Sequence, residues 1–238
     1  MTTARGRLIV AMDLSTLESV HCTLNTIGDA VEYYKIGMES FYSLGEAVLT
    51  MMAANHKKVF LDLKLHDIPN TVSRSVKALC RYAPAMTTLH AAGGPVMLKA
   101  AAEAAAETSA QLGHERPKLL GITVLTSIDE AEWSAVGHTR SVRDSVLRLA
   151  ELCRQAGLDG VVASPQEAAA IRQLCGENFL IVTPGIRPLY GDKGDQSRTA
   201  TPAEALRNGA DYLVVGRPIL AAADPRIAAM EIVKEMEG

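Results

Sequence analysis

The sequence predicts an α/β fold in which eight parallel strands and their helical crossovers close into a single-domain (β/α)8 TIM barrel spanning residues 1–238. Eight short apolar runs rich in β-forming residues alternate with longer helical stretches along the whole chain. A length of 238 residues suits one barrel of this kind, and no linker divides the chain. Polar residues also follow several of the predicted strands, where barrel enzymes carry their active sites.

The predicted strands are apolar runs that end at polar residues or glycine. In chain order they are 8–14, 33–38, 58–65, 86–90, 119–125, 160–163, 179–183 and 212–215. Helices are predicted between them, for example over the alanine-rich 95–112 and over 142–156, which Gly157 follows as a helix-ending residue. An open doubly wound sheet is the alternative. Such a sheet usually carries a Gly-rich turn after its first strand, whereas this chain has the turn Asp13-Leu14-Ser15-Thr16.

Composition excludes several classes of function. The net charge is -3, and three Phe with one Trp leave little for base stacking, so nucleic acid is not an expected partner. The four cysteines, Cys22, Cys80, Cys153 and Cys175, form no CxxC pair, which predicts buried free thiols in a reducing compartment and no metal site. We find no signal peptide and no segment able to span a bilayer, so we expect a cytoplasmic protein without a membrane partner.

The third predicted strand carries charges in an otherwise apolar run. Strict alternation would turn Asp62 and Lys64 to one face of the strand, with Asp67 shortly after it. Charges in a strand interior are costly unless they pair with each other or with a ligand, so this cluster is a candidate reaction centre. The alternative is a structural ion pair without chemistry.

Two further strand ends resemble anion sites. The seventh strand runs into Gly185 and Arg187, and the eighth into Gly216 and Arg217. Glycine lets the backbone approach an oxyanion, and guanidinium binds phosphate in a bidentate manner. The polar stretch YGDKGDQSRTATP after the seventh strand suits a lid over a bound ligand.

Over its whole length, the chain resembles the orotidine 5'-monophosphate decarboxylase family, most closely its short bacterial form. The resemblance rests on Asp13 in VAMD, Lys35 in YYKIG, DLKLHDIPNT at 62–71, Thr126 in TVLTS, TPGIRP at 183–188, Gln196 in the predicted lid and VVGRP at 214–218. A DxKxxD motif alone would also fit related phosphosugar decarboxylases and aldolases. HDIPNT and the lid glutamine narrow the choice.

The resemblance implies a carboxy-lyase that converts orotidine 5'-monophosphate to uridine 5'-monophosphate in pyrimidine biosynthesis, without a cofactor or metal. It implies a catalytic network of Lys35, Asp62, Lys64 and Asp67, in which Asp67 reaches into the partner's site of an obligate homodimer. It implies that Asp13 and Lys35 contact the ribose and that Thr126 and Gln196 contact the pyrimidine, with Gln196 also able to reach the phosphate. Arg187, Gly216 and Arg217 would surround the phosphate, and Ile68 and Thr71 would complete the partner's pocket.

The residues themselves favour an acid role for Lys64. Carboxylates two residues before it and three after it stabilise its ammonium form, whereas a Schiff-base lysine must be neutral. We therefore expect Lys64 to donate a proton to carbon as carbon dioxide leaves, with Asp62 near the substrate carboxylate.

Three alternatives remain open from the sequence. A magnesium-dependent phosphosugar decarboxylase or aldolase would need a further carboxylate, for which Glu39 is the candidate. A module that binds a phosphate ligand without chemistry is a second possibility. Asp13, finally, could simply cap the helix that follows it.

Overall fold

Eight parallel strands form a closed barrel in the computed structural model, which describes residues 3–188 and 198–238. The strands pair in chain order, and β1 closes the ring against β8 through the register Leu8↔Leu213, Ile9↔Val214 and Val10↔Val215. The predicted (β/α)8 barrel is confirmed.

The strands are β1 Leu8–Ala11, β2 Tyr33–Gly37, β3 Lys58–Leu65, β4 Met86–His90, β5 Lys118–Ile122, β6 Gly160–Val162, β7 Leu180–Thr183 and β8 Tyr212–Val215. The helices are α1 Leu17–Ile27, α2 Met38–Leu44, α3 Glu46–Ala54, α4 Pro69–Cys80, α5 Gly94–Leu112, α6 Glu130–Ala135, α7 Val142–Gln155, α8 Ala168–Cys175, α9 Pro202–Arg207, α10 Arg217–Leu220 and α11 Pro225–Glu237. Within the described residues, no helix is long and apolar enough to cross a membrane.

Two strands end three residues earlier than the sequence predicts. After β1 the Leu14 N–H donates to the Ser40 hydroxyl at 3.1 Å, so the chain has left the strand ladder. After β5 the Thr123 hydroxyl donates to the Val162 carbonyl at 2.9 Å. In both places a side-chain hydroxyl enters the hydrogen bonding at the strand end, and this change is not visible in an apolar pattern.

Apolar side chains fill the barrel in two layers. The lumen holds Ile9, Ala11, Phe60, Met86, Leu120, Val182 and Val214, which come from six of the strands. Residues that alternate with these point outward and pack beneath the helices, for example Val59 and Leu61 of β3. The lumen is therefore a packed core, and the space for a ligand lies above it at the carboxyl ends of the strands.

All four cysteines are free thiols, but one prediction about them is wrong. Cys80 and Cys153 are buried and Cys175 is partly buried, whereas Cys22 is exposed on α1. Cys22 lies between the buried positions Val20 and Leu24, and the helical period turns it outward. Burial raises the pKa of the Cys153 thiol to about 12, so this thiol is unreactive at neutral pH.

Arg172 holds together the amino-terminal edge of the barrel. Its guanidinium donates to the carbonyls of Phe179 and Gly209, each at 2.8 Å, and to the Asp211 carboxylate at 2.7 Å. That carboxylate also accepts the Ile181 N–H at 2.7 Å. One side chain thus joins α8 to the starts of β7 and β8, at the end of the barrel opposite the strand carboxyl ends.

We expect Arg172→Lys to lower the free energy of unfolding by about 2–3 kcal/mol, because one ammonium cannot reach this spread of acceptors. Its turnover should stay unchanged, since the residue lies at the edge opposite the strand carboxyl ends. Urea denaturation at one fixed protein concentration measures the loss, with Arg148→Lys on the exposed face of α7 as the matched control. Equal stability of the two variants would contradict the role given to Arg172.

Candidate active site

A cavity of about 610 Å³ opens at the carboxyl ends of the strands. Its floor includes apolar lumen residues such as Phe60 and Val214. Eight of the residues predicted from the sequence line it: Asp13, Lys35, Asp62, Lys64, Thr126, Arg187, Gly216 and Arg217. An apolar base with a few convergent charged groups is typical of a small-molecule site.

Four of these residues form a continuous chain of alternating charge. The Lys35 ammonium lies 2.9 Å from the Asp13 carboxylate and 4.0 Å from the Asp62 carboxylate. The Lys64 ammonium lies 2.8 Å from the same Asp62 oxygen. Asp62 therefore sits between two cations, and only 7% of it is exposed. A carboxylate buried to this extent depends on such partners for its charge.

Lys64 reaches Asp62 through an irregular strand, not through the regular alternation that the sequence suggested. The register between β3 and β4 shifts between Leu61 and Leu65, and Lys64 has a φ of +51°. A left-handed backbone is disfavoured by about 1–2 kcal/mol for a residue with a side chain. Such a conformation persists only where surrounding contacts hold it, and it is typical of functional sites.

Gly37 lies against the same group of charges. A Cβ atom at this position would lie 2.7 Å from the Lys35 ammonium and 3.4 Å from an Asp13 oxygen. Any side chain here would push the ammonium away from its carboxylate. The glycine after YYKI is therefore part of the site, although its backbone is not left-handed.

The two predicted anion sites lie on the same wall of the cavity. Gly185 and Arg187 follow β7, and Gly216 and Arg217 follow β8. The chain that returns after the undescribed residues bonds to this wall, because the Arg187 N–H donates to the Ala200 carbonyl at 2.9 Å. Two guanidinium groups and two glycines thus meet at one end of the cavity.

Three predicted site residues do not line this cavity, and a fourth cannot be placed relative to it. Asp67, Ile68 and Thr71 are exposed around the start of α4, and the Asp67 carboxylate accepts the Ile68 N–H at 2.7 Å. Gln196, the residue predicted in the lid, lies outside the described residues. The roles of these four stay predictions.

Asp13 does not cap α1. The capping residue is Thr16, whose hydroxyl accepts the Ser19 N–H at 3.2 Å. Asp13 instead points into the cavity and bonds to Lys35. The helix-cap alternative is therefore wrong.

Two histidines pack together beside Lys64. The rings of His66 and His90 are 5.1 Å apart between centroids. Burial lowers the pKa of His90, and the charges of His66 and Lys64 lower it further, so the neutral ring is favoured at neutral pH. His90 does not line the cavity.

Glu39, the candidate magnesium ligand, does line the cavity. One of its carboxylate oxygens accepts the Ser15 hydroxyl at 2.8 Å. Among residues 3–188 and 198–238, no three His, Cys, Asp or Glu side chains are grouped so that they could hold a metal ion. Glu39 and the DxKxxD aspartates are thus not arranged as one preformed site in the described part of the chain.

The chain matches known proteins over almost its whole length. Residues 6–232 match the model of the "Orotidine 5'-phosphate decarboxylase / HUMPS family". The chain belongs to this family. It is 49% identical over 235 residues to the orotidine 5'-phosphate decarboxylase of Moorella thermoacetica, covering 98% of this chain and 93% of that one. The corresponding enzyme of Trichlorobacter lovleyi is 46% identical over 233 residues, with 98% and 96% covered.

A solved structure of the family also superimposes on the barrel. The crystal structure of orotidine 5'-phosphate decarboxylase from Lactobacillus acidophilus matches with a TM-score of 0.87 and 40% identity, covering 98% of this chain and all of that one. The predicted resemblance and the predicted enzyme class, a carboxy-lyase, are confirmed.

A buried ion pair near the cavity could not be predicted from the sequence. The Arg198 guanidinium lies 2.7 Å from the Glu167 carboxylate, with 11% and 7% of the two side chains exposed. It also donates to the Leu125 carbonyl at 3.0 Å, one residue before Thr126. Arg198 therefore ties the returning chain to the loop after β5. A charged residue in a polar stretch gives no sign of such burial.

We expect Arg198→Met to lower the free energy of unfolding by about 3–5 kcal/mol, because it leaves the Glu167 carboxylate buried without its partner. The double variant Arg198→Met/Glu167→Leu should recover much of that loss, since both charges are then removed. A double-mutant cycle from urea denaturation measures both values. Additive losses from the two single substitutions would show that the pair is not coupled.

Proposed function

We propose that this chain, as one catalytic barrel of residues 1–238, decarboxylates orotidine 5'-monophosphate to uridine 5'-monophosphate, with Lys64 as the proton donor to C6. The observation that carries the proposal is the run of alternating charge from Asp13 through Lys35 and Asp62 to Lys64 inside one cavity. The names of the family and of its relatives support this substrate.

The charges suit a reaction in which a carboxylate leaves and a carbanion forms. Asp62 would lie beside the substrate carboxylate, and the repulsion between them is relieved when carbon dioxide departs. The C6–carboxylate bond breaks and its electron pair stays on C6, where the Lys64 ammonium stabilises it. Lys64 then transfers a proton to C6, and its neutral amine is reprotonated from solvent. No cofactor enters any of these steps.

The lysine is held where this step needs it. An ammonium has three N–H donors, and the contact with Asp62 uses one of them. Lys64 can therefore keep its bond to Asp62 while it directs another proton at the substrate. A Schiff-base mechanism would instead need a lysine whose amine is free to attack a carbonyl, whereas the Lys64 nitrogen is bonded to Asp62.

The remaining contacts would orient the substrate along the cavity. Arg187, Gly216 and Arg217 would take the phosphate, because guanidinium groups and accessible amides bind phosphate oxygens. Asp13 and Lys35 would take the ribose hydroxyls. Thr126, and Gln196 in the predicted lid, would contact the pyrimidine.

We further propose a homodimer in which Asp67 completes the partner's site together with Ile68 and Thr71. Ile68 is an aliphatic side chain that is 66% exposed at the start of α4. Met38 and Val96 are likewise exposed at the starts of α2 and α5, which follow the two neighbouring strands. Apolar residues exposed together at one edge of a barrel indicate an interface. Asp67 lies beside this edge.

Lys64→Ala should lower kcat by at least about 1,000-fold, because it removes both the proton donor and the charge that stabilises the carbanion. The absorbance of orotidine 5'-monophosphate, which falls as the substrate is decarboxylated, should then stay nearly constant. Binding of uridine 5'-monophosphate, measured by calorimetry, should persist. The matched control is Lys58→Ala at the other end of β3, where the lysine is exposed and pairs with Glu32 at 3.2 Å. Unchanged turnover in Lys64→Ala would refute its assigned role.

The same assay run with and without a metal chelator separates the two enzymes that the sequence left open. Decarboxylation unaffected by chelator would match the proposal. Activity lost on chelation, or found on a phosphosugar but not on the nucleotide, would favour the magnesium-dependent alternative, in which Glu39 would be a ligand.

Mixing two inactive variants tests the shared Asp67. In a dimer of one Lys64→Ala chain with one Asp67→Ala chain, one site carries both defects and the other carries neither. After denaturation and refolding of a 1:1 mixture, we expect about a quarter of the activity of the unsubstituted protein, since half of the dimers are mixed and each has one intact site. Absorbance assays of the mixture and of each variant alone supply the comparison.

If Asp67 instead served the site of its own chain, every site in the mixture would carry one defect. The mixture would then be as inactive as its two components.

A further inference from the structure

We infer that Thr88 is the positioning residue that fixes Asp62 and Lys64 relative to each other, an inference that rests on the function proposed above. Thr88 lies on β4, is fully buried and does not line the cavity. It therefore cannot contact the substrate and must act through other residues.

One hydroxyl group bridges the two charged residues. The Thr88 Oγ1 atom donates to the Asp62 carboxylate at 2.8 Å and accepts the backbone N–H of Lys64 at 2.9 Å. The Thr88 hydroxyl donates to the Oδ1 atom of Asp62, whereas the ammonium groups of Lys35 and Lys64 both approach its Oδ2 atom. Both oxygens of the carboxylate are thus held, and rotation of the carboxylate is prevented.

The position of Thr88 in the sheet explains why a hydroxyl is needed there. Leu61 pairs with Thr87 and Leu65 pairs with Leu89, so three residues of β3 lie opposite Thr88 alone. The surplus residues bulge out of the ladder, and the Lys64 N–H bonds to the Thr88 hydroxyl. A buried N–H without a partner is unfavourable, so the hydroxyl stabilises the bulge itself.

The left-handed backbone of Lys64 connects the bulge to the chemistry. With φ at +51°, the side chain of Lys64 leaves the strand in a direction that regular alternation would not give. Its ammonium reaches the Asp62 carboxylate from this conformation. Thr88 therefore holds both ends of the contact, the backbone of the donor and the carboxylate of the acceptor.

A neighbouring threonine serves as an internal control. Thr87 is 1% exposed, and its hydroxyl donates to the Leu61 carbonyl at 3.0 Å. It shares the strand, burial and side-chain volume of Thr88, but its hydroxyl bonds to backbone alone. Substituting either residue by Val removes one buried hydroxyl of the same size, and only Thr88→Val removes a bond to the charged network.

We expect Thr88→Val to lower kcat for orotidine 5'-monophosphate by about 10- to 100-fold with KM changed by less than about threefold, because small displacements of reacting groups reduce turnover without removing substrate contacts. Thr87→Val should retain the kcat of the unsubstituted protein even where its melting temperature falls equally. Steady-state kinetics well below the melting temperatures of all variants gives the comparison.

Thr88→Ser and Thr88→Ala form a second pair, which keeps the test decisive if Thr88→Val fails to fold. Both lack the methyl group and they differ only in the hydroxyl. Thr88→Ser should keep kcat within about threefold of the unsubstituted protein, and Thr88→Ala should lose about as much as Thr88→Val. Equal kcat for Ser and Ala, or an equal fall in Thr87→Val, would overturn the inference.

The two proposals fail in different ways. If the unsubstituted protein decarboxylates the nucleotide and Lys64→Ala does not, while Thr88→Val matches the unsubstituted protein, only the role of Thr88 is refuted. If the unsubstituted protein leaves orotidine 5'-monophosphate intact, the proposed function is refuted and the role of Thr88 falls with it.

Discussion

The buried carboxylate of Asp62 is the constraint on which the rest of the site depends. It is 7% exposed inside a barrel whose neighbouring layer is apolar, so its charge must be balanced by fixed partners. Those partners come from three adjacent strands: Lys35 from β2, Lys64 from β3 itself and Thr88 from β4. The parallel register of these strands is therefore a requirement of the proposed chemistry as well as of the fold.

The charged group around Asp62 and the contacts that stabilise the barrel lie at opposite ends of the strands. At the amino-terminal edge, Arg172 and Asp211 bond to backbone carbonyls and amides and hold strand starts together. At the carboxyl edge, the strands end in charges, glycines and a left-handed lysine, none of which is favourable for strand formation. Strain at the site is tolerated because the opposite edge and the helical layer hold the strands in place.

The sequence was sufficient where a feature depends on local periodicity, and insufficient where it depends on the register between strands. Apolar runs located all eight strands, and alternation along β3 assigned Asp62 to one face of that strand. It also grouped Asp62 with Lys64, but on the assumption of a regular strand, whereas the contact is made through a bulge. In the segment MTTLH nothing distinguishes Thr88 from an ordinary β-forming residue. Its contacts with Asp62 and Lys64 depend on which three residues of β3 lie opposite it, and this register is not visible in the sequence. Arg198 resembles solvated surface until its pairing with Glu167 is known.

The same constraint explains why the proposed acid is a lysine. An arginine could balance Asp62 equally well, yet its guanidinium does not give up a proton at physiological pH, so it could stabilise a carbanion without completing the reaction. A histidine would hold its charge less firmly, as the neutral state favoured for nearby His90 illustrates. Lysine alone combines a firmly held charge with a proton that a carbanion can take. Its flexible stem is the drawback, and the bond from Asp62 and the backbone held by Thr88 together remove that flexibility.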